Sequence, residues 1–303
     1  MEAFVASVLI AATPFLFAGL GELVAERTGV LNLGVEGMML VGAVAAFAAT
    51  LTTGNPWIGI MAGALAGLAL ALVFVAVSVV MLANQAATGL ALTIFGIGAS
   101  GLIGQGYVGE TVQPLEKIFI PGLSTAGAPG RILFAQDPLV YAGVAMAVVL
   151  FVVLRFTRLG LWIRAVGDSP EAAHAMGLPV VLIRALAVLF GGAMAGVAGA
   201  YLSIAYTPMW GENMTAGRGW IAVALVVFAT WRPERLLVGA YLFAAFTQLQ
   251  FYGQNFGIPL PSQALAMVPY LATIAALVLI GLVPRWGRDT APASIGRAFR
   301  AVR

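Results

Sequence analysis

Long apolar runs with almost no charged residues constrain this 303-residue chain more than any other feature. Windows of about 17 to 25 apolar residues recur from Phe4 to Val283, and each can cross the ~30 Å hydrocarbon core of a bilayer as a helix. Only 9% of the residues are charged, against roughly 25% in soluble domains. A membrane β-barrel would instead alternate apolar and polar residues. The sequence therefore predicts an all-α fold, a polytopic bundle of transmembrane helices.

We predict about nine membrane segments, within a range of eight to ten. They cover residues 4–23, 31–51, 56–82, 86–105, 139–154, 180–204, 217–231, 236–252 and 264–283. The seventh of them, 217–231, is the shortest. Together they form one transmembrane domain over 1–284, followed by a basic tail over 285–303. A polar segment punctuated by prolines, 107–137, separates the fourth segment from the fifth.

Basic residues predict the orientation, because cytoplasmic loops of membrane proteins carry an excess of lysine and arginine. If residues 155–184 are cytoplasmic, alternation puts twelve of the fifteen basic residues inside and leaves Lys117, Arg131 and Arg218 outside. The N-terminus is then extracytoplasmic and the C-terminus cytoplasmic. An eight-segment model would move either the tail or residues 155–184 outside, and we reject it. The N-terminus lacks a basic region, so we expect a first membrane helix there and no cleaved signal peptide.

Residues 155–184 form a polar interruption that contains a short helix with its own start and stop signals. Asp168 or Ser169 can cap it, and Pro170 suits its first turn. Gly177 ends it. We predict a helix from Pro170 to Met176, roughly 10 Å long, which is either a surface gripped by another protein or an ordinary connection. The candidate surface residues are Asp168, Ser169, Pro170, Glu171, Ala172, Ala173, His174, Met176 and Gly177.

Three polar patches lie in or beside apolar segments, where polar side chains are costly. The patches are Glu22, Glu26, Asn32 and Glu36; Asn84, Gln85, Thr88 and Thr93; and Gln248, Gln250 and Gln254. Glu26 is expected at the interface beside Arg27. Each patch either contacts a polar solute or forms hydrogen bonds between helices. The candidate pore or gating residues are Asn32, Glu36, Asn84, Gln85, Thr88, Thr93 and Gln248.

The residue types available exclude several kinds of chemistry. The chain has no cysteine, and His174 is its only histidine, so we expect no metal site and no catalytic residues. No GxxxxGK[ST] phosphate loop is present, so any ATP that drives this protein must be split by another subunit. We therefore expect no cofactor on this chain. The basic residues follow from membrane orientation, and no nucleic-acid polymer is expected as a partner.

Three stretches resemble the membrane subunits of ABC importers in the branched-chain amino acid and simple-sugar permease superfamily. They are ERTGVLNLGVEGMMLVGA (26–43), GLWIRAVGDSPEAAHAMGLPV (160–180) and GRGWIAVALVVFATWRP (217–233). The resemblance covers nearly the whole chain. It points in particular to the nucleoside-uptake branch that basic-membrane-lipoprotein-type binding proteins serve, and to its shorter permease partner. Thr93 departs from the pattern, where an asparagine is expected.

The resemblance implies partners and an energy source. It implies that the helix at 170–176 couples to separate ATPase subunits that use ATP and Mg²⁺. It also implies a second, homologous permease in a heterodimeric pore and an extracytoplasmic solute-binding lipoprotein, with 107–137 as a docking face or a lid. The expected location is the inner membrane of a bacterium, in contact with lipid. The expected solute is a nucleoside, with simple sugars or branched-chain amino acids as alternatives; a stand-alone channel or ion-coupled carrier is the alternative from another class.

Overall fold

The computed structural model describes residues 2–124, 127–255 and 291–300, with the single positions 267, 271, 274, 275 and 278. Within them the chain is helical, as predicted, and β-structure is confined to two isolated bridges that join 108 to 210 and 111 to 209. The helices are α1 (Glu2–Arg27), α2 (Val35–Thr53), α3 (Pro56–Phe74), α4 (Gln85–Gly104), α5 (Gly127–Phe134), α6 (Pro138–Phe156), α7 (Arg158–Asp168), α8 (Pro170–Ala175), α9 (Val180–Tyr201), α10 (Arg218–Phe228) and α11 (Pro233–Asn255). π-Helical turns extend α3 over Val75–Val80 and α9 over Leu202–Tyr206, and a 3₁₀ turn, Gln105–Tyr107, follows α4.

Six helices of the described part are long and apolar enough to cross a membrane: α1, α2, α3, α4, α6 and α9. They match the first six predicted segments. α10 has 11 residues, or roughly 16 Å at 1.5 Å per residue, which is about half of a ~30 Å hydrocarbon core. α11 matches the eighth segment, and the ninth, 264–283, lies outside the described residues except for single positions. The count of nine stays a prediction.

α9 lies at the centre of the bundle, against α1, α2 and α3. Small residues on its faces form these contacts. Gly196 faces Gly42 of α2 and Gly63 of α3, and a Cβ on Gly196 would overlap the carbonyl oxygen of Gly63. Such close backbone approach is how helices pack in lipid, where apolar burial alone provides no drive between them. The large side chains Phe47, Phe74 and Tyr201 fill the fully buried space around these contacts.

The two ends of the bundle differ in charge. One end, which we call the arginine end, holds a cavity lined by Arg27, Arg155, Arg164 and Arg232. At the opposite end Arg131 pairs with Glu2 at 3.1 Å. The described residues of 107–137 pack over that opposite end, where the Val112 N–H donates to the carbonyl of Pro208 at 3.2 Å. Val112 and Trp210 are buried there with Phe47 of α2.

Candidate functional site

The chain re-enters the bundle through the turn at residues 28–34, between α1 and α2. Gly29 has a φ of +86°, which glycine adopts without steric cost. The Asn32 N–H donates to the carboxylate of Glu22 at 2.9 Å, so the turn reaches roughly 7 Å back along α1 from its end at Arg27. The Asn32 side chain stabilises the turn by accepting a hydrogen bond from the Gly34 N–H at 2.9 Å.

The Glu36 carboxylate caps a helix that begins inside the bundle. It accepts hydrogen bonds from the Thr215 hydroxyl at 2.5 Å, the Gly217 N–H at 2.8 Å and the Gly219 N–H at 2.6 Å. Gly217 and Gly219 flank Arg218, the first residue of α10, where free N–H groups carry the positive end of the helix dipole. Glu36 is 3% exposed. The buried charge and the unpaired helix start therefore satisfy each other, and we call this contact the acid joint.

α10 runs from the acid joint to the arginine end. There the Trp231 indole N–H donates to Glu26 at 2.6 Å, and its carbonyl accepts from Nε of Arg27 at 2.9 Å. Glu26 was expected at the interface beside Arg27, but its side chain is fully buried. The reason is Trp231, which is distant in sequence and covers it. α10 is therefore long enough for about half of a membrane crossing. The chain reaches the start of α10 from the opposite end of the bundle through the non-helical residues 207–217.

Two residues of the second polar patch fasten α4 to the 28–34 turn. The Gln85 side-chain oxygen accepts from the Leu31 N–H at 2.9 Å, and the Thr93 hydroxyl donates to the Leu33 carbonyl at 3.0 Å. Both side chains are buried. Asn84 and Thr88 lie apart from this contact. Asn84 caps α4 by accepting from the Ala87 N–H at 2.9 Å, and the Thr88 hydroxyl donates back to the Asn84 carbonyl at 2.9 Å.

Gln248 is buried and lies elsewhere, next to the start of α10. Its side-chain N–H donates to the Tyr206 hydroxyl at 3.5 Å, and the Arg218 guanidinium sits 5.6 Å from the centre of the Tyr206 ring. Trp220 is exposed nearby on α10. The side chains of Gln250 and Gln254 lie outside the described residues. The structure therefore brings Asn32, Glu36, Gln85 and Thr93 together around one turn and places Asn84, Thr88 and Gln248 elsewhere.

The sequence reasoning missed the partners that α10 and the residues flanking it contribute. Thr215, Gly217 and Gly219 hold Glu36, and Trp231 holds Glu26. Gly217, Gly219 and Trp231 lie in the stretch 217–233 that carries the resemblance, so the signal was present. Nothing in the neighbouring sequence, however, indicates which helix these three residues face.

The short helix predicted at residues 170–176 is present as α8 and ends one residue earlier. Ser169 rather than Asp168 is its cap, accepting from the Ala172 N–H at 3.3 Å. Gly177, with a φ of +82°, ends the helix as expected for a left-handed stop. Pro170 and Ala173 face the bundle and are buried.

The rest of the predicted surface points outward. Glu171, Ala172, His174, Met176 and Gly177 are exposed, and Met176 is 71% exposed. α7, which was not predicted as a separate helix, precedes this surface. It is amphipathic, with Ile163 and Val166 buried and Leu161 and Trp162 exposed, which is typical of helices that lie in a membrane interface.

Arg184 is the centre of a second joint, at the arginine end. Its guanidinium donates to the carbonyl of Thr28, the carbonyl of Arg297 and the hydroxyl of Ser294, each at 3.0 Å. Ser294 in turn donates to the carbonyl of Gly167 in α7 at 2.7 Å. Arg184 is only 2% exposed. We call this contact the arginine joint.

The described part of the tail, residues 291–300, is held by that joint against the bundle. The Gly296 N–H donates to the Gly29 carbonyl at 3.1 Å. Phe299 is 6% exposed, and its ring centre lies 5.7 Å from that of His174 in α8. The tail therefore contacts both α8 and the 28–34 turn.

Residues 4–283 match the family model described as the permease component of the branched-chain amino acid transport system. The chain belongs to this permease family. As a member, the permease is a multi-pass membrane protein and a transport subunit rather than an enzyme, and it is expected to work with a separate ATPase.

Relatives support the same assignment over most of their length. The permease is 45% identical over 88% of both chains to a permease of Haloferax volcanii that is provisionally assigned to glucose transport. It is 32% identical to a nucleoside ABC transporter permease of Lactococcus lactis, covering 92% of each chain. It is 31% identical to a guanosine ABC transporter permease of Bacillus subtilis, covering 98% of this chain and 96% of that one.

A solved structure shares the fold. It is an ABC transporter described as of the metal-chelate type, in an inward-facing conformation. The TM-score is 0.53 with 15% sequence identity, and the match covers 91% of this permease and 84% of that chain. At this identity the likeness concerns the helical fold alone.

Proposed function

We propose that this permease forms half of the translocation pathway of an ATP-driven importer for nucleosides. The family match over residues 4–283 carries the proposal, and the sequence contains no phosphate loop, so a partner must supply ATP hydrolysis. The proposed assembly adds a second, homologous permease, two ATPase subunits that use ATP and Mg²⁺, and an extracytoplasmic solute-binding lipoprotein. By the positive-inside rule the arginine end faces the cytoplasm, which gives nine crossings with the N-terminus outside. The host membrane is the inner membrane of a bacterium.

The acid joint supports an uncharged solute. A helix that starts inside a membrane protein offers N–H groups that attract an anionic substrate group. At the start of α10 the Gly217 and Gly219 N–H groups are already bonded to Glu36. A branched-chain amino acid would therefore find its carboxylate site taken, whereas the ribose of a nucleoside needs no such charge. The cluster of Tyr206, Arg218 and Gln248 beside the start of α10 offers aromatic and hydrogen-bonding groups for a polar ring.

The geometry of the arginine end supports ATPase coupling through α8. This helix exposes Glu171 and Met176 to a partner while Ala173 is anchored. His174 contacts Phe299 of the tail, and the tail contacts the 28–34 turn through Gly296. Movement of α8 can thus reach the start of α2, and rigid-body movement of this kind produces alternating access.

A simple sugar is the second candidate solute. It is favoured by the 45% identity to the permease provisionally assigned to glucose transport. Sugars and nucleosides share an uncharged hydroxylated ring, so the acid joint is compatible with both.

Uptake in cells with and without the gene for this chain tests the proposal. Labelled uridine, guanosine and glucose are supplied separately, and the matched control restores the gene on a plasmid. Loss of nucleoside uptake alone, restored by the plasmid, supports the proposal. Loss of glucose uptake alone replaces the nucleoside with a sugar, and unchanged uptake of all three solutes overturns both.

A further inference from the structure

The cavity at the arginine end lies where four structural elements meet. It has a volume of about 250 Å³ and is bounded by the end of α1, the last turn of α6, the middle of α7 and the corner between α10 and α11. Four arginines line it: Arg27, Arg155, Arg164 and Arg232. Among the described residues, the carboxylates that line it with them are Asp168 and Glu234. The excess of positive charge favours an anionic ligand.

The cavity also has an apolar wall, which adjoins an exposed apolar face of α6. Phe151 and Leu154 of α6 line it, and the guanidinium of Arg155 sits 5.9 Å and 5.8 Å from the ring centres of Phe151 and Phe156. Phe156 is 69% exposed and Val152 is 44% exposed. Exposed apolar side chains of this kind on a membrane helix are suited to contact acyl chains. The apolar face of α6 therefore leads directly into a positively charged cavity.

We propose that this cavity binds the phosphate headgroup of an anionic phospholipid from the leaflet at the arginine end. The arginines bind the phosphate oxygens by charge-assisted hydrogen bonds, and the acyl chains lie along Phe151 and Val152. Basic pockets between transmembrane helices bind acidic headgroups in this way. Free phosphate would use the arginines but leave the apolar wall without a role, which is why a lipid is the better fit.

The arginines differ in what their loss would do to the fold. Arg27 donates to the carbonyl of Trp231, and Arg164 donates to the carbonyl of Gly160 at 3.3 Å. Arg155 and Arg232 are therefore the better positions to change. Arg158 is the matched control, because it is exposed at the same end but does not line the cavity.

The test uses the complete transporter in nanodiscs of phosphatidylcholine with and without phosphatidylglycerol. Native mass spectrometry measures the phosphatidylglycerol retained after purification. We expect the double variant Arg155→Gln, Arg232→Gln to retain at least about fivefold less of it, since one arginine near an anionic surface contributes roughly that factor. Arg158→Gln should retain as much as the wild type, and inorganic phosphate should not displace the lipid.

A second measurement uses only the wild type and so does not depend on how the double variant folds. A photoactivatable phosphatidylglycerol should label the last turn of α6, residues 151–156, more than the matching phosphatidylcholine does. Equal labelling, equal retention by the double variant, or displacement by inorganic phosphate would each overturn the proposal. Loss of the ATPase from the double variant with retention unchanged would also overturn it, by showing that the cavity binds protein.

Discussion

The acid joint and the arginine joint secure the two sides of the same turn with opposite chemistry. At the acid joint, one carboxylate accepts hydrogen bonds at the start of α10. At the arginine joint, one guanidinium donates to Thr28, Ser294 and Arg297. The acid joint connects two helices inside the bundle, whereas the arginine joint holds a terminal segment at the cytoplasmic end of the proposed topology. We therefore expect loss of the acid joint to destabilise the whole bundle and loss of the arginine joint to release only the tail.

Replacing Glu36 should have the largest effect, because it breaks the acid joint. Glu36→Gln keeps the size of the side chain but turns an NH₂ group toward backbone donors and removes the charge that complements the helix start. We expect a loss of about 3 kcal/mol in stability, in the range for breaking a buried charged contact. Thermal unfolding of the purified permease measures it. Glu212→Gln, an exposed acid in the segment before α10, is the control, and equal unfolding of both variants would show that the acid joint does not set the fold.

Gly219→Ala should have the next largest effect, because the added methyl group clashes with Glu36 in the acid joint without changing any charge. A Cβ at this position would lie 2.6 Å from Cα and 2.7 Å from a carboxylate oxygen of Glu36. We expect a loss of about 1–3 kcal/mol, as for overpacking of a tight core, read by the same unfolding assay. Gly98→Ala is the control, because its added Cβ meets nothing within 4 Å. Its free energy of unfolding should stay the same or increase. A Gly219→Ala protein as stable as that control would contradict the geometry.

Arg184→Lys should act on the arginine joint alone. A lysine ammonium cannot reach three partners in the fixed directions of a guanidinium, so the tail should detach while the bundle stays folded. Hydrogen exchange of the amides at residues 294–297 should accelerate by roughly tenfold, corresponding to about 1.4 kcal/mol. Arg131→Lys, in an exposed pair with Glu2, should leave this exchange unchanged. Global unfolding in Arg184→Lys would instead mean that both joints set the fold.

Ser169→Ala should have the smallest effect, because it loosens only the start of α8. Loss of a serine cap costs about 1 kcal/mol, and α8 contacts the arginine joint through His174 and Phe299. We expect ATP-driven uptake to fall a few-fold with unchanged unfolding. Ser169→Asp, which also caps, should restore uptake. Normal uptake by the Ser169→Ala variant would show that α8 does not couple the ATPase to the permease.

Features that depend on neighbouring residues were predictable from the sequence. The apolar runs located six helices that the structure contains. The signals around Ser169 and Gly177 located α8 to within one residue. Hydropathy, capping and helical spacing act within a few turns of one helix, so they are readable without the fold. Thr93 and Gln85 were found as polar candidates for the same reason, although their hydrogen bonds to the 28–34 turn were not.

By itself, then, the sequence determined a helical membrane bundle, an excess of arginine in the loops on one side of it, and a family. Only the tertiary structure decided that α10 begins inside the bundle at Glu36, that Trp231 buries Glu26, and that Arg184 holds the tail. These contacts join residues 181, 205 and 113 positions apart. Several helices must pack before such groups meet. A buried carboxylate or guanidinium must find partners once it leaves water, but which partners it finds depends on how the helices pack.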